Sequence, residues 1–212
     1  TGNYWAFTLT DGALRMLVVL HFHQLGYGAL AIAMLFLFYE IFGVITNLVG
    51  GWLGAHLGLN KTMNFGLALQ IMALAMLCAP SEWLTVAYVM AAQALSGIAK
   101  DLNKMSAKSA IKHLVPEGES GQGQLYKWVA ILTGSKNALK GVGFFLGGLL
   151  LTVLGFVGAL KALIILLTIA WMISFVFLKG DMGKAKNKPK FKELFSKSRA
   201  INLLSAARLC LF

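Results

Sequence analysis

The chain has little charge and little cysteine for its length. Of its 212 residues, 13% are charged and 58% are hydrophobic, whereas about a quarter of a typical soluble domain is charged. This shortage excludes an ordinary soluble domain. Cys78 and Cys210 lie in separate apolar segments without CxxC spacing, so we interpret them as structural thiols and expect no disulfide framework and no metal site.

Catalytic signatures are also lacking. The sequence has no HExxH motif and no Ser/Lys dyad with a defined oxyanion site, so it predicts no catalytic residue, no enzyme activity and no cofactor. The glycines between 141 and 148 follow no strand and precede no GK[ST], which argues against a phosphate loop. Much of the net charge of +11 falls in one short segment between helices, which argues against nucleic-acid binding.

What the sequence does contain is a series of apolar runs near the length that spans a bilayer. The mean hydropathy is +0.73. We therefore predict an all-α integral membrane protein, with a six-helix bundle over residues 1–179, a basic loop over 180–198 and the start of a seventh helix over 199–212. Because the chain begins with Thr1 and stops inside an apolar run, we expect it to be part of a longer protein. The six predicted segments cover residues 4–25, 29–57, 62–79, 83–114, 125–156 and 159–178.

Lysines between the segments predict the orientation. They cluster between segments 2 and 3, 4 and 5, and 6 and 7, and the opposite connections hold little beyond Lys161. By the positive-inside rule these loops and the N-terminus are cytoplasmic. For the basic segment 180–198 two interpretations stay open: it rests on anionic headgroups, or it only fixes topology.

Two lysines occupy a position where lipid is expected. Lys136 and Lys140 interrupt segment 5, and a rise of 1.5 Å per residue places Lys140 about 20 Å from the cytoplasmic start of that segment. Their i, i+4 spacing puts them on one face, so they need a counter-ion. A charge at this depth costs roughly 2.5–3.5 kcal/mol on insertion scales and usually faces a bundle interior or a water-filled cavity.

Other charged residues lie on three further segments. Lys100, Asp101 and Lys104 lie in the cytoplasmic third of segment 4. Asp11 and Arg15 on segment 1 have the spacing of a self-neutralising pair, and a structural role for that pair and a substrate role both stay open. Glu40 on segment 2 either neutralises Lys136 or Lys140, or carries a proton.

The count of these charges predicts the sign of the ligand. Arg15 and the four lysines at 100, 104, 136 and 140 exceed the three carboxylates by two positive charges. We therefore expect an anionic small molecule to complete the site, bound by mobile lysine charges. Asn137 is a further substrate-binding candidate, through neutral hydrogen bonds.

Two motifs resemble the major facilitator superfamily. Residues 51–61 read GWLGAHLGLNK, similar to that family's G-x-L-A-D-x-x-G-R-[KR], with Gly51, Gly58 and Lys61 matching and Ala55 replacing the aspartate. Residues 143–148 read GFFLGG, similar to the antiporter signature G-P-x-x-G-G, with Phe144 replacing the proline. The resemblance implies a twelve-helix transporter of which this chain is the N-terminal half, with Gly143, Gly147 and Gly148 among its conformational residues and the C-terminal half of the same polypeptide missing here.

A closer resemblance is carried by YWAFTLTDGALRMLVVLHFHQLGY, AQALSGIAKDLNKMSAKSAIK and LTGSKNALKGVGFFLGG. These stretches are similar to the organoarsenical-efflux permeases of bacterial arsenic-resistance operons. The resemblance implies export of arsenylated phosphoglycerate across the bacterial inner membrane and a functional link to a glyceraldehyde-phosphate dehydrogenase. Two other classes stay open: a carrier for another organic phosphate or organic anion, and a membrane enzyme or receptor.

Overall fold

The described part of the chain is helical almost throughout. A computed structural model describes residues 2–114, 119–177 and 203. The basic segment 180–198 lies outside the described residues, as does the predicted seventh helix apart from Leu203. A 3-10 turn at Ser81–Trp83 precedes the fifth helix. The α-helices are α1 (Gly2–Gln24), α2 (Ala29–Leu35), α3 (Leu37–Leu57), α4 (Leu59–Leu77), α5 (Val86–Leu114) and α6 (Glu119–Phe177).

The second predicted segment is divided in two, which corrects the expectation of one helix over 29–57. α2 ends and α3 begins at Phe36, whose backbone has φ −95° and ψ −3°. The Phe36 N–H donates to the Ala33 carbonyl at 3.1 Å, a tight closure of the last turn. Phe36 has neither glycine nor proline beside it, so the sequence carries no signal for the break.

The connection between α3 and α4 is a single residue. Gly58 has φ 89° and ψ 149°, a conformation that L side chains rarely adopt. Its N–H donates to the Gly54 carbonyl at 2.9 Å, and its own carbonyl accepts from the Thr62 N–H at 3.0 Å. α4 therefore begins at Leu59, and the predicted start at Thr62 was three residues late.

Segments 5 and 6 form the two arms of α6. The only non-helical residue inside this element is Gly155, with φ 69° and ψ 178°. The break falls one residue before the predicted end of segment 5. A Cβ on Gly155 would have no other atom within 4 Å. Glycine is therefore favoured there by the backbone conformation and not by crowding.

Glycine also permits close helix packing where α1 crosses the first arm of α6. A Cβ on Gly12 would lie 2.8 Å from the Lys140 carbonyl oxygen, and a Cβ on Gly143 or Gly147 would lie 2.5 Å from the carbonyl of Leu9 or Ala13, respectively. Small residues of this kind let helix backbones approach within a membrane. α5 packs mainly on α3 and α4, and it also contacts α1 and α6.

Two stretches are long enough and apolar enough to cross a membrane. They are Ala29–Asn47, with hydropathy 2.2, and Gly123–Phe177, with hydropathy 2.5 and 55 residues. The second is long enough for two crossings, since a span needs about 20 residues, and Gly155 divides it between them. Only 28% of the apolar part of this second stretch is buried inside the described fold. Most of its surface is therefore left for lipid or for further protein.

Candidate functional site

A carboxylate on α3 joins two cations from two other helices. The Glu40 Oε1 atom accepts from Arg15 on α1 at 2.8 Å, and its Oε2 atom accepts from the Lys100 Nζ on α5 at 3.3 Å. The Glu40 side chain is 60% exposed, whereas Arg15 and Lys100 are 21% and 24% exposed. Glu40 therefore lies at the open edge of this group, and its charge is neutralised by residues other than the predicted Lys136 and Lys140.

A second carboxylate, on α5, extends the network away from solvent. Asp101 is only 4% exposed in its side chain. Its Oδ1 atom accepts from the Lys104 Nζ at 3.4 Å, and its Oδ2 atom lies 3.9 Å from the Lys100 Nζ. Lys100 is thus shared between two carboxylates, Glu40 and Asp101. Such sharing compensates the cost of burying charge.

Tyr39 lies at the centre of the network and is fully buried. Its hydroxyl donates to the Asp11 Oδ1 atom at 2.7 Å. The Arg15 guanidinium carbon lies 4.0 Å from the ring centroid, and the Lys100 Nζ lies 4.2 Å from it, both within cation–π range. The predicted i, i+4 pair of Asp11 with Arg15 is therefore replaced by separate partners, because Tyr39 engages the carboxylate while Glu40 engages the guanidinium.

Two glycines make room for this arrangement. A Cβ on Gly43 would lie 2.7 Å from the Asp101 Oδ2 atom, and a Cβ on Gly97 would overlap the Tyr39 carbonyl. The first glycine allows a buried carboxylate to lie against α3, and the second brings the backbones of α3 and α5 together. Since the neighbour of Gly97 is backbone, no side-chain rotation can relieve that overlap.

The network is electrically balanced. It contains three carboxylates, Asp11, Glu40 and Asp101, and three cations, Arg15, Lys100 and Lys104. We call these six residues and Tyr39 the neutral network. The charges counted in the sequence included two more cations than carboxylates. Because the network is balanced, this excess belongs to the two remaining lysines, Lys136 and Lys140.

Both of these lysines are half-buried on the first arm of α6, and within residues 2–114 and 119–177 neither forms an ion pair with a carboxylate. The Lys140 Nζ lies 5.7 Å from the Phe144 ring centroid. A buried charge without a partner is costly. The described fold thus concentrates an unbalanced positive charge on one face of α6, which we call the lysine pair.

The remaining predicted residues have mixed surroundings. Asn137 is exposed, one position after Lys136, and forms no hydrogen bond with the neutral network. Gly143 and Gly147 pack on α1, whereas Gly148 meets only the Leu20 side chain, at 3.8 Å. Gly51 has open space around it, Gly58 forms the α3–α4 turn, and Lys61 is exposed at the start of α4. The conformational role of these motifs stays a prediction.

Three residues of this site were not identified from the sequence: Tyr39, Gly97 and Gly12. Tyr39 adjoins Glu40, and only its burial reveals that its ring contacts two cations. Only the folded contact with the Tyr39 carbonyl distinguishes Gly97 from an ordinary helix glycine. One sequence signal would have suggested Gly12 or Gly97. It is a small residue that lies, at helical spacing, on the face of its helix that is turned towards a charged segment.

The sequence profile described as Major Facilitator Superfamily matches residues 2–212. The chain belongs to the major facilitator superfamily. It is accordingly a multi-pass membrane protein of a transporter family, and the prediction of this fold class is confirmed. A search of curated proteins found no match.

Solved structures support the superfamily fold. The peptide transporter POT in complex with sulfate is similar over 99% of this chain and 43% of that chain, with 17% identity and a TM-score of 0.60. The same transporter in complex with alafosfalin is similar over 99% and 44%, with 18% identity and a TM-score of 0.58. The chain therefore spans less than half the length of these structures, as expected of the N-terminal half of a major facilitator fold.

Proposed function

We propose that this chain is the N-terminal half of a secondary transporter that exports an anionic organoarsenical, arsenylated phosphoglycerate, from the cytoplasm and so confers arsenate resistance. The observation that carries the anion is the lysine pair, two half-buried cations that have no carboxylate partner among the described residues. An anion that entered between the two halves of the transporter would supply the missing negative charge.

The neutral network supports the same assignment because each of its cations already has a carboxylate partner. Arg15 and Lys100 already contact Glu40, and Lys104 contacts Asp101. Their predicted substrate-binding role therefore becomes indirect in this proposal: they form a polar wall of fixed geometry, and the lysine pair supplies the uncompensated charge. A cationic ligand would be repelled from this face.

The organoarsenical itself rests on the resemblance of the sequence to the arsenical-efflux permeases. The same resemblance and the positive-inside pattern support a location in a bacterial inner membrane with a cytoplasmic N-terminus, and the resemblance supports a functional link to a glyceraldehyde-phosphate dehydrogenase. Coupling of transport to a proton through Glu40 stays open, and the Glu40 side chain is 60% exposed.

A carrier for another organic anion is the second candidate. Two facts favour it: the lysine pair has no group specific for arsenic, and the similar solved structures belong to a peptide transporter, one with sulfate and one with alafosfalin. A lysine ammonium binds carboxylate, phosphate and arsenate by the same charge-assisted hydrogen bonds.

Uptake into everted vesicles separates the two candidates. Vesicles that contain the full-length protein are supplied with arsenate, glyceraldehyde 3-phosphate, the dehydrogenase and its nicotinamide cofactor, and internal arsenic and phosphorus are measured together. We expect both elements to accumulate in equal amounts, and only when the dehydrogenase is present. Equal uptake without the dehydrogenase, or none with it, contradicts the arsenical substrate. Vesicles without the transporter are the control.

A further inference from the structure

Two amide side chains in the core of the bundle lack the hydrogen bonds that burial requires. Gln93 on α5 and Gln70 on α4 are both 0% exposed. Within the described part of the chain, no hydrogen-bond partner lies near the Nε2 or Oε1 atom of Gln93, or near the Nε2 atom of Gln70. An unpaired buried amide is costly, and buried polar groups of native proteins are nearly always hydrogen-bonded. These three atoms therefore indicate a bound partner.

The two amides lie at the same level of the bundle. The Ser96 hydroxyl of α5 donates to the Gln70 Oε1 atom at 2.8 Å, which joins the two helices. Ser96 follows Gln93 by three residues, a spacing at which the Cβ atoms of a helix are about 5–6 Å apart. Gln93 is therefore a neighbour of the contact that holds Gln70. It lies about 10 Å along α5 from the first residue, Val86, and so well inside the helix.

The described helices already enclose both side chains completely. Lipid headgroups and the C-terminal half of the transporter therefore cannot reach them unless the helices separate. Rotation of an amide end for end does not supply the missing bonds either. A reversed Gln70 would donate to Ser96 and leave its Oε1 atom unpaired instead, and Gln93 lacks a partner at both ends in either orientation. The partner is therefore a small molecule inside the bundle.

The unpaired atoms select the kind of molecule. The Gln93 amide presents both a donor and an acceptor. A metal cation would bind the Gln93 Oε1 atom and leave the N–H groups unpaired, whereas an anion would accept from the N–H groups and leave the Oε1 atom unpaired. Water both donates and accepts. A buried water typically makes about three hydrogen bonds to otherwise unsatisfied groups, which matches the three unpaired atoms of the two glutamines.

We propose that Gln93 and Gln70 form an internal water site between α5 and α4, in which bound water accepts from the amide N–H groups and donates to the Gln93 Oε1 atom. The site goes beyond the proposed function, because it does not depend on which anion is carried. Lys100 of the neutral network lies one helical turn after Ser96. Water-mediated hydrogen bonds of this kind are nearly as favourable as direct ones, so the site helps to hold α4 against the helix that carries Lys100.

Water-edited solid-state NMR tests the site in the full-length transporter in lipid bilayers. Magnetisation starts on water and is detected on isotope-labelled side-chain amides, which are assigned through the carbon atoms of their own residues. We expect the amide signals of Gln93 and Gln70 to build up several-fold faster than the backbone N–H signal of Val89. Val89 is the matched control, because it is fully buried one turn from Gln93 and its N–H donates to the Thr85 carbonyl at 3.0 Å.

Gln93→Met distinguishes a hydrated amide from an unpaired one, because methionine is flexible and apolar and fills a similar space. Loss of the bonds to water should lower the thermal unfolding midpoint by about 2–4 °C. Removal of an amide that has no partner would raise the midpoint instead. Leu74→Met places the same side chain at a fully buried position of α4 and measures the cost of fitting methionine into this core. The shift for Gln93→Met is compared with that control.

Two results overturn the internal water site. The first is a Gln93 amide signal that builds up no faster than the Val89 signal in the unmodified transporter, a measurement that needs no variant to fold. The second is a higher unfolding midpoint for Gln93→Met than for Leu74→Met, which would show that the amide has no partner to lose. Neither result decides the proposed function, because uptake of the arsenical into vesicles is measured separately.

Discussion

The neutral network and the lysine pair lie on neighbouring helices of one bundle, yet they treat charge in opposite ways. In the network each cation has a carboxylate within 3.4 Å, and Tyr39 fills the space between Arg15 and Lys100. In the pair neither lysine has a carboxylate partner among the described residues. A balanced group stabilises one arrangement of helices, whereas in our proposal the unbalanced group is completed by a ligand of opposite sign.

The largest expected effect on transport comes from removing either lysine of the pair. Lys136→Ala and Lys140→Ala should each reduce anion uptake by about 100-fold or more, because a desolvated charge contact contributes 2–5 kcal/mol. Uptake into everted vesicles is the measurement, with the amount of membrane-inserted protein unchanged. Lys127→Ala should transport normally. Normal uptake by both pair variants would remove them from the site.

The network should fail in the opposite way, by losing stability. Asp101→Asn keeps the shape of the side chain but deprives Lys104 and Lys100 of a buried counter-charge. We expect the free energy of unfolding to fall by about 2 kcal/mol, less than for a fully buried pair because the lysines remain about a quarter exposed. Thermal unfolding in detergent measures this.

A double-variant cycle identifies the cause of that loss. Adding Lys104→Met to Asp101→Asn should restore part of the stability if the lost interaction is the ion pair. Strictly additive effects of the two changes would show that Asp101 contributes through packing against Gly43 and not through its charge.

The helix contact behind the network should be sensitive to one carbon atom. Gly97→Ala should lower the free energy of unfolding by about 1–3 kcal/mol, because the new Cβ overlaps the Tyr39 carbonyl. Gly141→Ala is the matched comparison, since a Cβ there meets no atom within 4 Å and alanine is the better helix former by about 1 kcal/mol. A stabilising effect of both changes would mean that α3 and α5 are further apart.

The smallest expected effect on stability comes from a change at Glu40. Glu40→Gln should change stability by less than about 1 kcal/mol, because an ion pair with a largely exposed partner contributes little. It also removes a negative charge that acts on Lys140. We therefore expect anions to bind a few-fold more tightly, measured by calorimetry with 3-phosphoglycerate. Weaker binding would show that Glu40 positions the ligand-binding cations.

Much of this was predictable because membrane burial makes charge conspicuous in a sequence. The apolar runs predicted the helical segments, and the count of intramembrane charges predicted an excess of two cations. The break at Phe36 was missed because no local residue preference marks it. The pairing of Arg15 was also missed, because helical spacing favours Asp11 and only the folded bundle brings the Glu40 side chain of α3 within hydrogen-bond distance of Arg15.

The sequence alone determined the class of protein, the number of uncompensated charges and their sign, since these follow from composition and from the cost of placing charge in lipid. Which charges are uncompensated was decided by tertiary structure. Ion pairing depends on distances of a few ångströms between side chains up to 60 positions apart, such as Glu40 and Lys100. Gly97 and Gly43 set those distances by bringing helix backbones into contact. The excess charge therefore lies on α6 because ion pairs within and between α1, α3 and α5 neutralise the charges of those helices.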